Sequence, residues 1–325
     1  VSAAVDRVHI NLETTERQAG FLATAIASGE TSPDDLENFV TLLAGTLAAT
    51  PEITSIGFID PDLNLTAVER GDPMPVPVFS RLSDDATWRA LISEAATARE
   101  PYWAKVAWRD EYRTAQLSRR EPVWLDGEFL GVINIEVSVS SLSELIGNLE
   151  SDFGMNAFIL EERQKVIAHP LLQFGFPNLT RNHPVPLVPE VGDPILMSMW
   201  DPGSLNPRVS GLLGAHNGHA IDLGDETYVF MYHAEDRYGG DWLIGSYLAA
   251  SDVLKEIERL FQAIWACAGI VASALVLSAW LGRRISRPVR LLAEQARRVR
   301  ELDFANTQRV PGSHIRELDE AAAAF

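Results

Sequence analysis

The sequence contains a single cysteine, Cys267, among its 325 residues. One cysteine excludes an internal disulfide framework, and it excludes the cysteine-rich sites that bind structural zinc or iron–sulfur clusters. Because Cys267 lies in an uncharged stretch, we interpret it as a packing residue and assign it no chemistry.

Basic residues are also scarce, with 27 Lys and Arg against 45 Asp and Glu, for a formal net charge of −18. The segment 1–259 contains 18 basic and 39 acidic residues, whereas 260–325 contains nine basic and six acidic residues. A body this acidic repels nucleic-acid phosphates and anionic lipid headgroups. Nucleic acid is therefore excluded as a main partner.

No charged residue interrupts the 22-residue stretch 260–281. A helix of that length rises about 33 Å, which is enough to cross a hydrocarbon core of about 30 Å. Charged residues flank both ends, and Trp265 and Trp280 lie where interfacial indoles are favoured. The stretch is predicted to be a transmembrane helix, and a buried core helix is the alternative.

Four arginines follow this helix closely, whereas only Lys255 and Arg259 precede it. The excess of positive charge predicts that the C-terminal side is cytoplasmic and that residues 1–259 lie outside. Val1 stands in place of Met, and Phe325 falls inside a helical pattern. We therefore expect a fragment of a longer protein, with another membrane anchor before its first residue.

Two helical patterns open the outer part of the chain. Apolar residues at heptad-like spacing predict a long amphipathic helix over 1–26. Ser32 and Pro33 then predict the N-cap and first position of a second helix, which stops before Pro51.

A strand–turn–strand pattern occurs twice, at 53–68 and again at 157–168. Each copy closes in the same way, with a strand at 128–137 or 242–248 that runs into the start of a helix. An internal repeat of this kind predicts two similar sheet modules in series. Turn signals separate the strands, so both sheets are predicted to be antiparallel.

Two sheet modules on a long N-terminal helix, followed by a membrane-entering helix, resemble the double Cache sensor domains of bacteria. The most specific stretches are 99–103 (REPYW), 121–123 (EPV) and 127–138 (GEFLGVINIEVS). The resemblance covers about 1–258. It implies an α+β fold of two PAS-like antiparallel-sheet modules.

The same resemblance implies a domain organisation. Residues 1–259 are expected to form the extracytoplasmic sensor. Its membrane-distal module is expected at about 30–138 and its membrane-proximal module at about 150–250. The bacterial inner membrane is the expected location.

Apolar residues at coiled-coil spacing recur over 282–325, interrupted by a connector at 306–312. A helix, a connector and a helix directly after a membrane span resemble a truncated HAMP linker, which implies a homodimer through a four-helix bundle. Pro288 and Glu317 match its best-known positions, whereas Asp319 stands where a Gly is often found. A charged amphipathic helix on the membrane surface is the alternative.

An aromatic and polar cluster in the first module predicts a small-molecule pocket, because aromatic walls with a few polar groups are typical of such pockets. Strand alternation places Tyr112, Thr114, Gln116 and Ser118 on one face of their strand. It likewise places Asn134 and Glu136 together on one face of the next strand. The family resemblance implies that this sheet face holds the ligand; ordinary core packing of the rings is the alternative. The predicted ligand-binding residues are Trp88, Tyr102, Trp103, Trp108, Tyr112, Thr114, Gln116, Ser118, Asn134 and Glu136.

The amino-acid-binding members of the family carry an Arg-x-Trp-Tyr element and an Asp at the end of a strand. This sequence lacks that element and has Glu136 at the Asp position. A carboxylate there could hold a cationic group through a charge-assisted hydrogen bond. A polyamine, a quaternary amine or another small metabolite is therefore left open as the ligand, and no cofactor is expected.

The sequence shows no pattern that predicts a metal or catalytic site. His216 and His219 flank a Gly instead of lying on a helix, and neither Asp222 nor His233 completes a characteristic ligand spacing. No nucleophile elbow, phosphate loop or pair of catalytic carboxylates is present. The fragment itself is not expected to be an enzyme.

The sequence thus predicts the ligand-sensing part of a bacterial transmembrane receptor, with a small molecule, the lipid bilayer and a second copy as partners. The stretches 166–172, 242–248 and 314–325 resemble membrane-bound class III adenylate/guanylate cyclases, which implies a cyclase as the output domain. Chemotaxis receptors, histidine kinases and diguanylate cyclases share the same front end. Alternatives of other classes are a membrane-tethered enzyme that uses the His cluster and an adhesion protein without a small ligand.

Overall fold

The computed structural model describes residues 2–82, 86–110, 112–213 and 217–300. Residues 1–251 belong to one compact unit, and residues 252–325 belong to a second.

Helices are labelled in chain order within these described ranges. They are α1 (Ser2–Ala27), α2 (Leu36–Ala48), α3 (Ala86–Ala98), α4 (Val139–Phe153), α5 (Val188–Val191), α6 (Pro194–Met197), α7 (Pro207–Leu213) and α8 (Ala250–Arg300). A short 3-10 helix covers Pro170–Leu172.

Strands are labelled in the same way. They are β1 (Ile53–Ile59), β2 (Asn64–Glu69), β3 (Val76–Arg81), β4 (Tyr102–Arg109), β5 (Thr114–Leu125), β6 (Glu128–Ser138), β7 (Asn156–Glu161), β8 (Lys165–Ala168), β9 (Gly218–Leu223), β10 (Glu226–Glu235) and β11 (Trp242–Ala249).

The predicted long N-terminal helix is confirmed as α1. Val8, Leu12, Ala19, Leu22 and Ile26 recur every three, four or seven residues and are all buried. Because positions three and four apart share one face of a helix, these residues form a single apolar stripe. The stripe packs on the two sheets, since α1 contacts β5, β6 and β11.

The second helix starts later than the sequence predicts. Asp35 is its N-cap, and α2 begins at Leu36. The Ser32 hydroxyl instead accepts a hydrogen bond from the backbone N–H of Asp34, at 3.2 Å. This short-range bond closes a turn before the helix, which is the other common use of Ser in such a position.

The first sheet has six strands in the order β3-β2-β1-β6-β5-β4, and every neighbouring pair is antiparallel. One of its faces is apolar and packs on α1 and α2 through residues such as Ile56, Leu117 and Ile135. The opposite face carries polar side chains in its middle strands. Helix α3 packs on that second face through Leu91 and Ala95, against Ile59 and Val132.

The second sheet has five strands in the order β8-β7-β11-β10-β9, again all antiparallel. In the first sheet, the five neighbouring strands β2-β1-β6-β5-β4 correspond one to one to these strands, with the same order in the sheet and along the chain. The predicted internal repeat is therefore present as two sheets of one topology. The predicted α+β fold, with two antiparallel-sheet modules and a long N-terminal helix, is confirmed.

Helix α8 contains one segment long and apolar enough to cross a membrane, Gln262–Arg283, with a mean hydropathy of 2.0. None of that segment is buried by protein. It overlaps the predicted span at 260–281 almost completely. Pro288 lies within α8, whereas the predicted connector and Glu317 lie outside the described residues.

Candidate functional site

A cavity of about 130 Å³ lies between the polar face of the first sheet and the segment that carries α3. We call it the first-sheet cavity. Strands β1, β2, β3 and β6 form its floor, and Trp88 of α3 and the β4–β5 corner close its sides. Its polar lining side chains are Ser55, Glu69, Ser80, Arg109, Tyr112, Asn134 and Glu136.

The apolar part of the cavity wall follows from local sequence patterns. Ile59, Leu65 and Val78 occupy one face of neighbouring strands, since Ile59 pairs with Leu65 and Ala67 pairs with Val78. Gly57 lies between them, and an added Cβ would come within 2.7 Å of the Cβ of Ala67. Glycine at this position therefore lets the side chains of Ala67 and Leu65 pack closely against the β1 backbone.

A buried ion pair stands at the polar end of the cavity. Arg109 donates from Nε to Oε1 of Glu136 at 2.8 Å, and its Nη2 lies 2.7 Å from the same oxygen. The other carboxylate oxygen of Glu136 accepts a hydrogen bond from the Ser55 hydroxyl at 3.2 Å. The Arg109 guanidinium also lies 4.8 Å from the centre of the Trp88 ring, within the range of a cation–π contact.

A bulge in β4 brings Arg109 to this face. Tyr102 pairs with Arg120 and Arg109 pairs with Thr114, but the register shifts between Ala104 and Ala107. In a regular strand, residues seven apart point to opposite faces. The extra residue reverses this parity, so Tyr102 and Arg109 share the polar face of the sheet.

A second carboxylate, Glu69, lies beside the first. The Tyr112 hydroxyl donates a hydrogen bond to Oε1 of Glu69 at 2.5 Å. Burial raises the pKa of Tyr112 well above its usual range, and the hydrogen bond to Glu69 and the charge of Glu136 raise it further. The phenol thus stays protonated at neutral pH and orients Glu69 at the cavity.

Asn134 supplies an acceptor oxygen that no group of the described residues uses. It is 7% exposed, and its Oδ1 has no hydrogen-bond partner among the described residues. Leaving such an oxygen buried without a partner costs about 1–3 kcal/mol. A bound ligand that donates a hydrogen bond to Asn134 would remove this cost.

The predicted site residues divide into three groups. Trp88, Tyr112, Asn134 and Glu136 line the first-sheet cavity. Tyr102, Thr114, Gln116 and Ser118 occupy the same face in the pairing register but do not line the cavity. The third group is Trp103 and Trp108, which occupy the opposite face.

The two tryptophans of the third group have partners on their own side of the sheet. Trp103 is buried and donates its indole N–H to Glu16 of α1 at 2.7 Å. Trp108 donates to Asp110 at 2.8 Å. Neither ring reaches the first-sheet cavity.

Ser55, Glu69 and Arg109 line the cavity but carry no signal in the sequence. Ser55 and Glu69 face each other across β1 and β2, and Ser55 also faces Glu136 across β1 and β6. These neighbours depend on the pairing register of three strands. The alternating pattern of a single strand does not contain that information.

The cavity therefore combines two carboxylates with one guanidinium, and it also offers an unused amide oxygen. This set is rich in hydrogen-bond acceptors and suits a ligand that donates hydrogen bonds and carries positive charge. Within the described ranges, no cluster of three or more His, Cys, Asp or Glu side chains is arranged to hold a metal ion.

The histidines considered as metal ligands have different surroundings. His219 stacks between Trp200 and Phe230, with ring centres 5.3 Å apart in both cases. Burial lowers the pKa of His219, although its hydrogen bond to the Met199 carbonyl opposes this shift. His216 lies outside the described residues.

The second sheet contains a separate buried polar cluster. Asp193 accepts hydrogen bonds from the Tyr247 hydroxyl and from the backbone N–H of Ile195 and Leu196, and Nε2 of His169 lies 3.1 Å away. Burial alone would raise the pKa of Asp193, but the contact with His169 and the hydrogen bonds from Tyr247 and Leu196 outweigh it and lower this pKa to about 2. Because Asp193 also caps α6, the cluster attaches the segment that carries α6 to the second sheet through Tyr247 of β11.

No protein-family model matches this sequence. No curated protein matches it either. Solved structures of similar fold do exist. The ligand-binding domain of the Campylobacter jejuni chemoreceptor Tlp3, in complex with 4-methylisoleucine, aligns with a TM-score of 0.53 and 13% identity, over 78% of this chain and 88% of that one.

Two further structures align over similar shares. The Tlp3 domain in complex with L-norvaline has a TM-score of 0.53 and 12% identity, and covers 78% of this chain and 88% of that one. The extracellular domain of soHK1S-Z6, described as a histidine kinase, has a TM-score of 0.51 and 12% identity. Its alignment covers 78% of this chain and 92% of that one. The fold is that of a double Cache sensory domain. At these identities the likeness concerns the fold alone.

Proposed function

We propose that this chain is the ligand-sensing part of a bacterial transmembrane receptor and that its ligand binds in the first-sheet cavity. The observation that carries the proposal is the buried Oδ1 of Asn134, which has no hydrogen-bond partner among the described residues. Asn134 lines the same cavity as the Arg109–Glu136 pair. A buried polar atom of this kind indicates a missing partner. Its occurrence in a double Cache fold supports a small ligand as that partner.

The balance of charge in the cavity favours a cationic ligand. Glu69 and Glu136 supply two negative charges, and Arg109 supplies one positive charge. An ammonium group has three N–H donors, which could donate hydrogen bonds to oxygens of Glu69, Glu136 and Asn134. We therefore propose a small amine, and the volume of about 130 Å³ limits it to a few heavy atoms.

An amino acid is the second candidate, because solved neighbours bind 4-methylisoleucine and L-norvaline. Its ammonium group suits the same carboxylates. Its own carboxylate, however, would compete with Glu136 for Arg109, whose Nε and Nη2 already contact Glu136 within 2.8 Å. This competition ranks a simple amine above an amino acid.

We further propose the arrangement that the sequence predicts around the membrane. Residues 1–259 lie outside, with a membrane-distal module at about 30–138 and a membrane-proximal module at about 150–250. The apolar part of α8 spans the bilayer, and 282–325 forms a HAMP linker in a homodimer. The length and hydropathy of Gln262–Arg283 support the span.

For the output, we propose a class III adenylate/guanylate cyclase, on the sequence resemblance alone. A chemotaxis receptor or a histidine kinase fits the structural neighbours as well. The reading frame after Phe325 discriminates between them. Two metal-binding aspartates in a cyclase domain would support the first, whereas a long coiled coil or a phosphoacceptor histidine helix would replace it.

The ligand proposal is tested by isothermal titration of the chain in lipid nanodiscs with three amines that carry N–H donors, propylamine, butylamine and putrescine, and with L-valine. At least one amine is expected to bind more tightly than L-valine. Asn134→Leu should then weaken the amine by about tenfold or more, because a hydrogen bond to a charged donor contributes about 1.5–3 kcal/mol. Its thermal stability should stay equal or increase, since the change removes an unpartnered buried oxygen.

Asn156→Leu is the matched control. Asn156 lies on β7 of the second sheet and is half-buried, so the same replacement there should leave amine binding unchanged. Equal loss of affinity in both variants would contradict the assignment of the first-sheet cavity. Binding of none of the three amines to the wild type would contradict the ligand class.

A further inference from the structure

A second cavity, of about 540 Å³, lies where the β4–β5 corner meets the segment after β8. We call it the junction cleft. It is lined on one side by Arg70, Trp108 and Arg113, and on the other by Phe174 and Phe176. Its floor includes the start of α4, where Ser138, Ser140 and Ser141 line the space.

The charge of this cleft is opposite to that of the domain around it. Its described lining residues include two arginines and no Asp or Glu, although acidic residues outnumber basic residues by more than two to one in 1–259. Two guanidinium groups on a wall whose described residues include no carboxylate favour an anionic ligand in the cleft.

Neither arginine is neutralised by a carboxylate of the described chain. Arg70 donates to three backbone carbonyls, those of Leu47, Thr50 and Ile53, at 2.7–2.9 Å. These bonds fix the guanidinium in place without cancelling its charge. Arg113 is exposed and has neither an ion pair nor a hydrogen bond within the described ranges.

The cleft also presents aromatic surface. Phe174 is 91% exposed, which is unusual for a large apolar side chain, and Trp108 and Phe176 are half-buried nearby. Aromatic walls beside fixed charged groups are typical of sites for organic ligands. Inorganic phosphate would use the arginines but would leave these rings without a partner.

We propose that the junction cleft binds a small organic carboxylate with an aromatic or aliphatic body. The carboxylate would pair with Arg113 and Arg70, and the body would contact Phe174 and Trp108. The hydroxyl of Ser140 at the start of α4 would add a hydrogen-bond donor, and the helix N-terminus favours negative charge there. The site is separate from the first-sheet cavity and does not depend on the ligand proposed for it.

The probe is 3-phenylpropionate, titrated into the full chain in nanodiscs at low salt, with the neutral 3-phenylpropionamide and inorganic phosphate in parallel. The acid is expected to bind about tenfold more tightly than the amide, because only the acid can make charge-assisted bonds to arginine. It should also bind more tightly than phosphate, which lacks the apolar body.

Arg113→Gln should weaken the acid by about fivefold, since an exposed arginine contributes on the order of 1 kcal/mol to such a bond. Arg208→Gln is the matched control, because Arg208 is also exposed and lies outside the cleft. It should leave the affinity unchanged. Phe174→Ala should weaken acid and amide by the same factor.

Four results would overturn the proposal. They are absence of binding by 3-phenylpropionate at millimolar concentration, equal binding of acid and amide, equal binding of phosphate, and equal effects of the Arg113 and Arg208 substitutions. The first means that the cleft is empty, and the second that it is only apolar. The third means that it takes inorganic anions, and the fourth that the acid binds through general charge.

Discussion

Removal of the Arg109 side-chain charge should destabilise the first sheet far more than a typical substitution. Arg109 and Glu136 are 8% and 4% exposed, so Arg109→Gln leaves a buried carboxylate whose remaining partner is the Ser55 hydroxyl, at 3.2 Å. Breaking a buried pair by removing one partner costs about 3–5 kcal/mol, because the other charge stays desolvated. We expect a loss in that range for Arg109→Gln.

The double variant Arg109→Gln/Glu136→Gln should be more stable than Arg109→Gln alone. Two neutral amides of similar shape remove the stranded charge and can bond to each other. We expect it to recover at least about 2 kcal/mol, which is a typical coupling energy for residues in direct contact.

Native-state hydrogen exchange at the amides of β6 measures the relevant free energy, because β6 carries Glu136 and lies in the centre of the first sheet. Amides of β11 in the second sheet provide the internal reference. The single variant Glu136→Gln completes the set. If the loss of stability in the double variant equals the sum of the losses in Arg109→Gln and Glu136→Gln, this reasoning is refuted. A cost below about 1 kcal/mol for Arg109→Gln would refute it too, since surface ion pairs contribute that little.

Three other predictions concern packing and pH. Because the pKa of Asp193 in the folded state is about 2, below its ordinary 3.8, its stabilising effect is complete above pH about 4 and is lost as the pH falls toward 2. Over that pH range the free energy of unfolding of the wild type should fall by about 2 kcal/mol relative to that of Asp193→Asn. Urea unfolding at a series of fixed pH values measures this difference. Gly131→Ala should cost more than about 2 kcal/mol, because φ is +145° and the new Cβ would lie 2.4 Å from the Ile59 carbonyl oxygen; Gly127→Ala, at φ +88° with open space, should cost about 1 kcal/mol in the same melts. Trp103→Phe should lower the melting temperature by removing the bond to Glu16, yet leave amine affinity unchanged in titration calorimetry; a selective loss of affinity would return Trp103 to the ligand site.

Periodicity and repetition in the sequence are sufficient to predict the architecture. The stripe of α1, the hairpins near 53–68 and 157–168, and the closing strands near 128 and 242 are signals of local pattern, and each survives in the structure. Alternation also predicts that Asn134 and Glu136 share a face, which the pairing with Gly57 and Ser55 confirms. Such patterns arise because one face of each strand is buried, and this is visible in the alternation of residues along a single strand.

The composition of the cavity could not be predicted in the same way. The bulge between Ala104 and Ala107 changes which residues of β4 share a face, and no residue type in that stretch marks it. Tyr102 and Trp108 are six apart and would share a face in a regular strand, but the bulge separates them and brings Arg109 across instead. Glu69 reaches Tyr112 over 43 positions, a contact that only the tertiary fold creates.

The start of α2 shows a smaller limit of the same kind. Ser32-Pro33 has the composition of a helix start, but the N-cap position is Asp35, three residues after Ser32, and its side chain makes no capping hydrogen bond. Ser and Asp can each close a turn or cap a helix, so the choice between them depends on how the segment leaves α1. Local composition therefore predicted the helix but placed its first residue too early.

The central claim is that a small amine binds in the first-sheet cavity, and hydrogen–deuterium exchange of the chain in nanodiscs tests it most directly. Saturation with the tightest amine of the panel should slow exchange in β6 around Asn134 and Glu136 and in α3 around Trp88, while amides of β7 and β11 stay unchanged. Protection confined to the second sheet, with none in β6, would contradict the claim.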